Sequence, residues 1–265
     1  MPRWLFVPPG AYNRRPFMNP LKPKILRYQS LPSTNNEAAR LAAQGAAEGL
    51  AVLADEQTAG RGRLQRSWVS PKGAGLYFSI LLRPKIPPDR WPLVTFVAAL
   101  AVSDALFETA GLQTDIKWPN DLLAGERKIC GILAEVIDTG LGRAIVLGIG
   151  INLTSSAFPE ELIAQAISVE EATGRPPERE TILAALLPAL SRWYALFHEP
   201  DGGNRLVAAW MSRSSYAEGR VVKVQNGDEM IQGVTRGVES DGALRLETKA
   251  GTITRVRAGD VVSVR

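Results

Sequence analysis

Short apolar runs alternate with polar segments in the first third of the chain, and their spacing predicts both strands and helices. Three runs rich in leucine, valine and isoleucine predict β-strands, at 25–29, 49–56 and 75–82. The segment STNNEAARLAAQG predicts a helix after the first run, with Thr34 and Glu37 as its capping box. This part of the chain is therefore expected to combine a helix with a β-sheet.

The middle of the chain predicts one long helix followed by a β-meander. The helix is expected to begin at Pro92 and to stop at Gly111, the usual places for proline and glycine. Three strand-like runs joined by short turns and then two more helices follow, at 115–124, 127–138, 143–153, 178–198 and 204–213. The order of elements predicts an α+β fold.

The pattern changes after about residue 215. Short valine-rich runs alternate there with the turn sequences NGD, SDG, KAG and AGD, which is typical of a small β-barrel. We therefore predict a loose basic N-terminal arm over 1–24, a catalytic domain over 25–214 and a C-terminal barrel domain over 215–265.

Composition restricts the class of protein. The chain has 265 residues, of which 45% are hydrophobic and 22% charged, as in an ordinary soluble protein. We expect no membrane span, since no apolar run approaches the roughly 20 residues that one needs, and no signal peptide, so we predict a cytoplasmic protein. The single cysteine excludes an internal disulfide, and the single histidine argues against a Cys/His zinc site.

Positive charge is concentrated in one glycine-rich stretch, GRGRLQRSW at 60–68. Three arginines lie within nine residues, and the glycines disfavour a stable helix, so the stretch predicts a loop that binds an anion. Nucleic acid, a phosphorylated metabolite and a nucleotide all remain open, because the net charge of +4 permits nucleic-acid binding without requiring it. The chain lacks the Walker A, GxGxxG, GxSxG and HExxH motifs.

Further polar and glycine-rich segments lie at predicted strand ends or loops, where site residues tend to occur. They are STN at 33–35, KWPND at 117–121, RKICGILAE at 127–135 and GIGIN at 148–152. GRGRLQRSW resembles the GRGRxGRxW signature of biotin protein ligases, and KWPND, KICGILAE and GIGINL resemble that family's next three motifs in order and spacing. The resemblance covers roughly residue 25 to the C-terminus.

The resemblance implies a fold and a reaction. The implied fold has a mixed, mostly antiparallel sheet with flanking helices, as in the class II synthetase-like biotin and lipoate ligases, and a C-terminal SH3-like β-barrel. In the implied reaction the carboxylate of biotin attacks the α-phosphate of ATP to give biotinyl-AMP and pyrophosphate, and a lysine amine of a biotin carboxyl carrier protein then attacks that mixed anhydride and displaces AMP. Magnesium is implied as cofactor, without a tightly bound prosthetic group.

The resemblance also assigns roles to motif residues. Lys128 is expected to bridge the biotin carboxylate and the α-phosphate, and Arg63 to hold the phosphate of the adenylate. Biotin-binding positions are implied at Ser33, Thr34, Asn35, Gln57, Arg61, Gly62, Arg63, Lys128 and Gly131. Nucleotide-binding positions are implied at Arg63, Arg66, Trp68, Lys117, Asn120, Asn152 and Arg265, with Asp121 as the magnesium ligand.

Simpler interpretations stay open for several of these residues. The position of Lys128 fits that of a charged residue on an edge strand, and Asp121 fits the role of a turn residue. Ser33 or Thr34 fits the role of a helix cap. Trp68 fits packing of the loop as well as stacking on adenine. Gln65 stands where the family has a second loop glycine, so we expect altered loop closure.

The resemblance also implies partners and one rival function, and the positive charge of the chain leaves a second rival function open. The expected partner is the carrier protein of acetyl-CoA carboxylase or a related carboxylase, and a homodimer is allowed. No helix-turn-helix precedes residue 25, so we predict a monofunctional ligase that binds neither DNA nor a membrane. The rival functions are a lipoate or octanoate ligase or transferase of similar fold, and a nucleic-acid-binding module.

Overall fold

Two β-sheets and five α-helices make up the described part of the chain, residues 21–155, 158–226 and 229–263, in this computed structural model. The first sheet contains β1 (Lys24–Leu31), β2 (Leu50–Gln57), β3 (Gly75–Leu82), β4 (Asp115–Lys117), β5 (Asp121–Ala124), β6 (Arg127–Thr139) and β7 (Gly142–Asn152). The helices are α1 (Thr34–Ala43), α2 (Val94–Ala110), α3 (Val169–Thr173), α4 (Arg179–Phe197) and α5 (Gly202–Met211). The second sheet contains β8 (Glu218–Asn226), β9 (Glu229–Val238), β10 (Leu244–Thr248), β11 (Ile253–Val256) and β12 (Asp260–Ser263).

The first sheet is mixed and mostly antiparallel, which confirms the predicted fold class. Its strand order is β1-β2-β3-β7-β6-β5-β4, and β1 runs parallel to β2 while the other neighbours are antiparallel. The parallel pair follows from α1, which supplies the crossover between the two strands. The strand predicted at 25–29 begins at Lys24, inside the predicted arm, whose residues 1–20 lie outside the described residues.

The run 115–124, predicted as one strand, is two. Strands β4 and β5 form a tight hairpin with Lys117 opposite Asp121, and the peptide bond between Trp118 and Pro119 is cis. The single-strand prediction was wrong because proline has no N–H for the ladder and marks the turn. The hairpin places Lys117, Asn120 and Asp121 close together at one end of the sheet.

The predicted capping box of α1 is also wrong. The N-cap is Ser33, whose Oγ accepts a hydrogen bond from the Asn36 amide at 3.4 Å. Glu37 instead accepts hydrogen bonds from Arg40 and from the Tyr28 hydroxyl. Because the helix begins one residue earlier than expected, Thr34 is its first helical residue and not its cap, and the Thr34 side chain is buried and bonds to Gln57.

The long apolar helix forms the centre of the core. A 3-10 turn at Pro88–Leu93 precedes α2, which ends at Gly111 in the left-handed conformation. By length and composition Pro88–Ala110 could span a membrane, so the expectation that no such run exists was wrong. However, 72% of its most apolar window is buried inside the protein, where α2 packs against α4, α5 and the first sheet.

The C-terminal strands form an antiparallel sheet, as predicted for this segment. The strand order is β11-β10-β9-β8-β12, so β11 and β12 are its edges, and closure into a barrel remains a prediction. Its buried residues Val222, Leu244 and Val261 belong to the same hydrophobic cluster as Phe96 and Trp210 of the helices. The core is thus continuous across the predicted boundary at 215, and the division into domains stays a proposal.

Candidate active site

A cavity of about 570 Å³ lies between the first sheet, the loop 58–74 after β2 and the start of β12. Every described residue that the sequence assigned to the site lines it: Ser33, Thr34, Asn35, Gln57, Arg61, Gly62, Arg63, Arg66, Trp68, Lys117, Asn120, Asp121, Lys128, Gly131 and Asn152. Arg265 lies outside the described residues. Segments far apart in the sequence therefore converge on one cavity.

One end of the cavity is neutral and buried. The Gln57 side-chain carbonyl accepts hydrogen bonds from the Thr34 amide at 2.8 Å and from its hydroxyl at 3.0 Å. The Gln57 amide donates to Ser70 Oγ at 2.8 Å. The hydroxyl of Ser79, fully buried in β3, lies 2.7 Å from Thr34 Oγ1 and 2.6 Å from Asn35 Oδ1. This end of the cavity is a set of pre-oriented hydrogen-bonding groups without a charge.

Glu135 connects this neutral end to the arginine loop. The Asn35 side-chain amide donates to Glu135 Oε2 at 2.7 Å and to the Leu133 carbonyl at 3.3 Å. Arg61 donates from one nitrogen to both Glu135 oxygens, at 2.7 and 2.9 Å. A continuous polar chain thus joins Asn35 on α1, β6 and the loop.

The other end of the cavity is charged, and internal carboxylates pair with its cations. Lys128 Nζ lies 2.7 Å from Asp121 Oδ1. Asp260 pairs with two arginines, with 2.6 Å between Arg66 NH1 and its Oδ2, and 3.5 Å between Arg63 NH1 and its Oδ1. Since Arg61 pairs with Glu135 as well, three carboxylates balance four of the cations around the cavity.

Burial lowers the pKa of two cations that line the cavity, Arg63 and Lys117. Desolvation lowers the pKa of Arg63, and the charges of Asp260 and Asp121 oppose that effect. Desolvation likewise lowers the pKa of Lys117, opposed mainly by Asp121. An arginine stays protonated at physiological pH, so Arg63 carries a partly desolvated charge that an anion can neutralise.

Trp68 lies against two glycines that face each other in β6 and β7, Gly131 and Gly150. A Cβ at Gly150 would come within 2.6 Å of the Trp68 Nε1, and a Cβ at Gly131 within 2.9 Å of its ring. The Nε1 donor is buried and has no hydrogen-bond partner among the described residues, and Lys128 Nζ lies 5.2 Å from the ring centroid. Trp68 therefore packs against the sheet with a free donor, while stacking on adenine stays a prediction.

The edge-strand interpretation of Lys128 is excluded, because β6 lies between β5 and β7. The backbone of Lys128 is also held from outside the sheet. Its N–H donates to the Gln165 carbonyl at 2.8 Å, and its carbonyl accepts from Ile167 N at 2.9 Å and from the Asn152 side chain at 3.2 Å. Asn152 thus fixes the start of β6, a structural contribution that the motif alone did not predict.

The loop adopts an unusual backbone between Arg63 and Arg66. Leu64 and Gln65 have φ angles of 52° and 59° in the left-handed region. This conformation costs a residue with a side chain about 1–2 kcal/mol. Gln65 therefore occupies a conformation that the usual family glycine adopts more easily.

Three polar residues of the site were missed by sequence reasoning: Ser79, Glu135 and Asp260. Ser79 is the one polar residue of the run GLYFSILL, and Glu135 closes the motif KICGILAE, so both carried a weak signal. Asp260 belongs to the AGD sequence, which was interpreted as turn chemistry alone.

Family models and curated relatives that match this chain describe biotin ligases. Residues 26–152 match the biotin/lipoate A/B protein ligase family, and residues 219–263 match the biotin protein ligase C-terminal domain. The bifunctional ligase/repressor BirA of Bacillus subtilis is 36% identical over 242 residues, covering 89% of this chain and 73% of that protein. A biotin–acetyl-CoA-carboxylase ligase of Mycobacterium tuberculosis is 34% identical, covering 88% of this chain and 86% of that protein.

A solved structure is similar as well. The biotin protein ligase of Aquifex aeolicus in complex with biotin and ATP has a TM-score of 0.79 and 32% sequence identity. The similarity covers 91% of this chain and 98% of that one.

Proposed function

This chain belongs to the biotin protein ligase family, and from that premise we propose that it uses ATP to attach biotin to a lysine of a carboxylase carrier protein. It is a biotin ligase enzyme, with biotin and ATP as substrates. The observation that carries the proposal is the division of one cavity into a buried neutral end and a charged end, with Lys128 lining the cavity beside Asp121 and Trp68.

The neutral end fits the ring system of biotin. Biotin carries a cyclic urea, which has N–H donors and a carbonyl acceptor but no charge. The hydroxyls and amides of Thr34, Asn35 and Gln57 supply the matching donors and acceptors, and Ser33 is also buried there. Buried polar groups that lose their partner cost free energy, so this end selects a polar head group.

The charged end fits the formation of the adenylate. The biotin carboxylate and the α-phosphate of ATP are both anions, and their approach is favoured by fixed cations in a site that excludes water. In this proposal the Lys128 ammonium leaves Asp121 to contact both anions, and Arg63 and Arg66 bind phosphate oxygens. Arg61 then guides the carboxylate while the loop covers the reactive anhydride.

The second step transfers the biotinyl group. The ε-amine of the carrier lysine attacks the carbonyl carbon of biotinyl-AMP, an amide bond forms, and AMP leaves with the electron pair of the broken anhydride bond. The expected partner is therefore a biotin carboxyl carrier domain of acetyl-CoA carboxylase or a related enzyme.

Magnesium remains part of the proposal, with Asp121 as the residue that would hold it. Asp121 Oδ1 is buried and pairs with the Lys128 ammonium at 2.7 Å, so it would hold the ion once that ammonium turns to the substrate anions. No cluster of three acidic, histidine or cysteine side chains occurs in the described ranges, so the residues fit an ion shared with nucleotide phosphates and water. When bound, such an ion supplies charge neutralisation on phosphate oxygens.

The rival functions make different demands on the site. Lipoate and octanoate carry no urea, and they would leave the neutral hydrogen-bonding groups unpaired in the bound state. A nucleic-acid module would use exposed, unpaired cations, whereas Arg61, Arg63 and Arg66 are paired with Glu135 and Asp260. A homodimer, a cytoplasmic location and the absence of DNA binding remain predictions.

Isotope exchange between pyrophosphate and ATP tests the proposal. We expect exchange only with biotin, and a mass increase on a carrier domain incubated with biotin and ATP. Equal exchange with lipoate or octanoate would favour the rival acyl ligase. Absence of DNA binding even at low salt would exclude the nucleic-acid module, since contacts to phosphates are strongest there and weaken steeply as salt rises.

A further inference from the structure

Asp260 joins the second sheet to the arginine loop. It is the first residue of β12, and its carboxylate contacts Arg66 and Arg63, the latter 197 residues away in the chain. The preceding residue contributes too, because the Gly259 carbonyl accepts a hydrogen bond from Arg63 NH1 at 3.2 Å. Asn120 Oδ1 accepts from the same nitrogen at 3.2 Å.

We propose that Asp260 is a positioning residue that orders Arg63 and Arg66 in advance for the nucleotide phosphate. The inference rests on the proposed function of the cavity. In this arrangement the second sheet contributes to phosphate binding through the loop, and it does so before any ligand is present.

The geometry favours positioning over competition for the arginines. All three contacts of Arg63 use one terminal nitrogen, NH1. A guanidinium has five N–H donors in a planar fork, so the remaining donors of Arg63 are oriented toward other acceptors once NH1 is fixed. Arg63 also lines the cavity, where the phosphate is expected. A carboxylate that holds one edge of the fork can therefore stay in place while phosphate oxygens bind the other.

The left-handed backbone explains why the loop needs such a contact. Leu64 and Gln65 both have positive φ, and the side chain of Leu64 is 64% exposed, so little packing holds this turn. The ion pairs of Asp260 flank the turn on both sides, at Arg63 and Arg66. Without them the turn loses its main tie to the second sheet.

Steady-state kinetics with Asp260→Asn test the proposal. The amide removes the charge and keeps the shape, and we expect the KM for ATP to rise about 10-fold, since a charge-assisted contact is worth about one decade. The kcat and the KM for biotin should change less than about 3-fold, because Lys128 and the neutral end are untouched. Asp260→Glu should restore most of the ATP affinity.

A matched control uses another ion pair of the second sheet. Glu247 accepts from Arg236 at 2.6 Å and does not line the cavity, so Glu247→Gln should leave the KM for ATP unchanged. An unchanged KM in Asp260→Asn would overturn the proposal. A lower KM would overturn it too, because it would mean that Asp260 competes with the phosphate.

A second measurement does not depend on biotin chemistry. Trypsin cleaves after exposed arginines, and mass spectrometry can follow cleavage after Arg61, Arg63 and Arg66 in the ligand-free protein. Asp260→Asn should be cut there about 10-fold faster than the parent or Glu247→Gln, and equal rates would contradict the ordering role. If cleavage accelerates but no biotin-dependent exchange occurs in the parent, the ordering role stands while the proposed function fails.

Discussion

The two ends of the cavity differ in how deeply their side chains are buried and in the type of contact that holds them. At the neutral end Thr34, Asn35 and Ser79 are at most 4% exposed and are joined by hydrogen bonds. At the charged end the side chains of Arg63 and Arg66 are 23% and 69% exposed and are held by ion pairs. The first end is fixed by the core, and the second is attached to it by contacts that water can replace.

This difference matches the two ligands that the ends are proposed to bind. A buried hydrogen bond is expensive to leave unmade, so the neutral end keeps one geometry and recognises one head group. Exposed ion pairs contribute only about 0–1 kcal/mol each, so the arginines can adjust to phosphate at little cost while Asp260 keeps its contact with them. Rigid recognition and adaptable anion binding are thus combined in one site.

Removing the Lys128 ammonium should have the largest effect on the rate of the reaction. Lys128→Ala is expected to slow biotin-dependent pyrophosphate exchange about 100- to 1000-fold, the usual loss when one preorganised electrostatic group is removed. Lys249→Ala, in a turn of the second sheet, is the control. A Lys128 variant with normal exchange would take this residue out of the reaction.

Loosening the charged end alone should release the intermediate. Arg63→Gly should still form biotinyl-AMP but lose it about 10- to 100-fold faster, the equivalent of one or two charge-assisted hydrogen bonds. Released adenylate acylates free lysines, whose pKa is about 10.4, so labelling of an unrelated protein should rise roughly tenfold per pH unit from pH 7 to 9.

The readout is biotin attached to that bystander protein, compared between Arg63→Gly and its parent. Arg175→Gly, on an exposed loop after α3, is the matched control. A variant that makes no adenylate at all would mean that Arg63 acts in the chemical step and does not merely hold the adenylate.

Perturbing the neutral end should affect biotin and spare ATP. Ser79→Ala removes the buried hydroxyl next to Thr34 and Asn35, and we expect biotin binding to weaken about 5- to 30-fold, or about 1–2 kcal/mol. Titration calorimetry measures this, with Ser212→Ala at the end of α5 as control. A change in ATP affinity of similar size would mean that the two ends are not separable.

Salt should give the smallest effect and should act on one end only. Raising NaCl from about 0.05 to 0.5 M shortens the screening length from about 14 to 4 Å, so the KM for ATP should rise up to about fivefold. The KM for biotin should change less, because the contacts predicted for its ring are neutral and buried and only its carboxylate meets Lys128 and Arg61. Equal sensitivity of both constants would remove the distinction between the ends.

The sequence by itself determined the main elements and fifteen of the residues that line the cavity. The strands at 49–56 and 75–82 and the long helix follow from local periodicity, and the arginine loop follows from its glycines. Motif order assigned fifteen described residues to one cavity, and the structure brings all of them to it. These features depend on neighbours close in the chain or on motifs that can be compared directly.

Only the tertiary structure decided which side chains meet. Ser79 contacts Asn35 across 44 residues, Glu135 contacts Arg61 across 74, and Asp260 contacts Arg63 across 197. Such pairs depend on strand register and on how the second sheet packs against the first, and neither leaves a local pattern in the chain. The sequence therefore identified many of the residues that line the cavity, while the packing of distant strands brought in Asp260 and decided how the charges are paired.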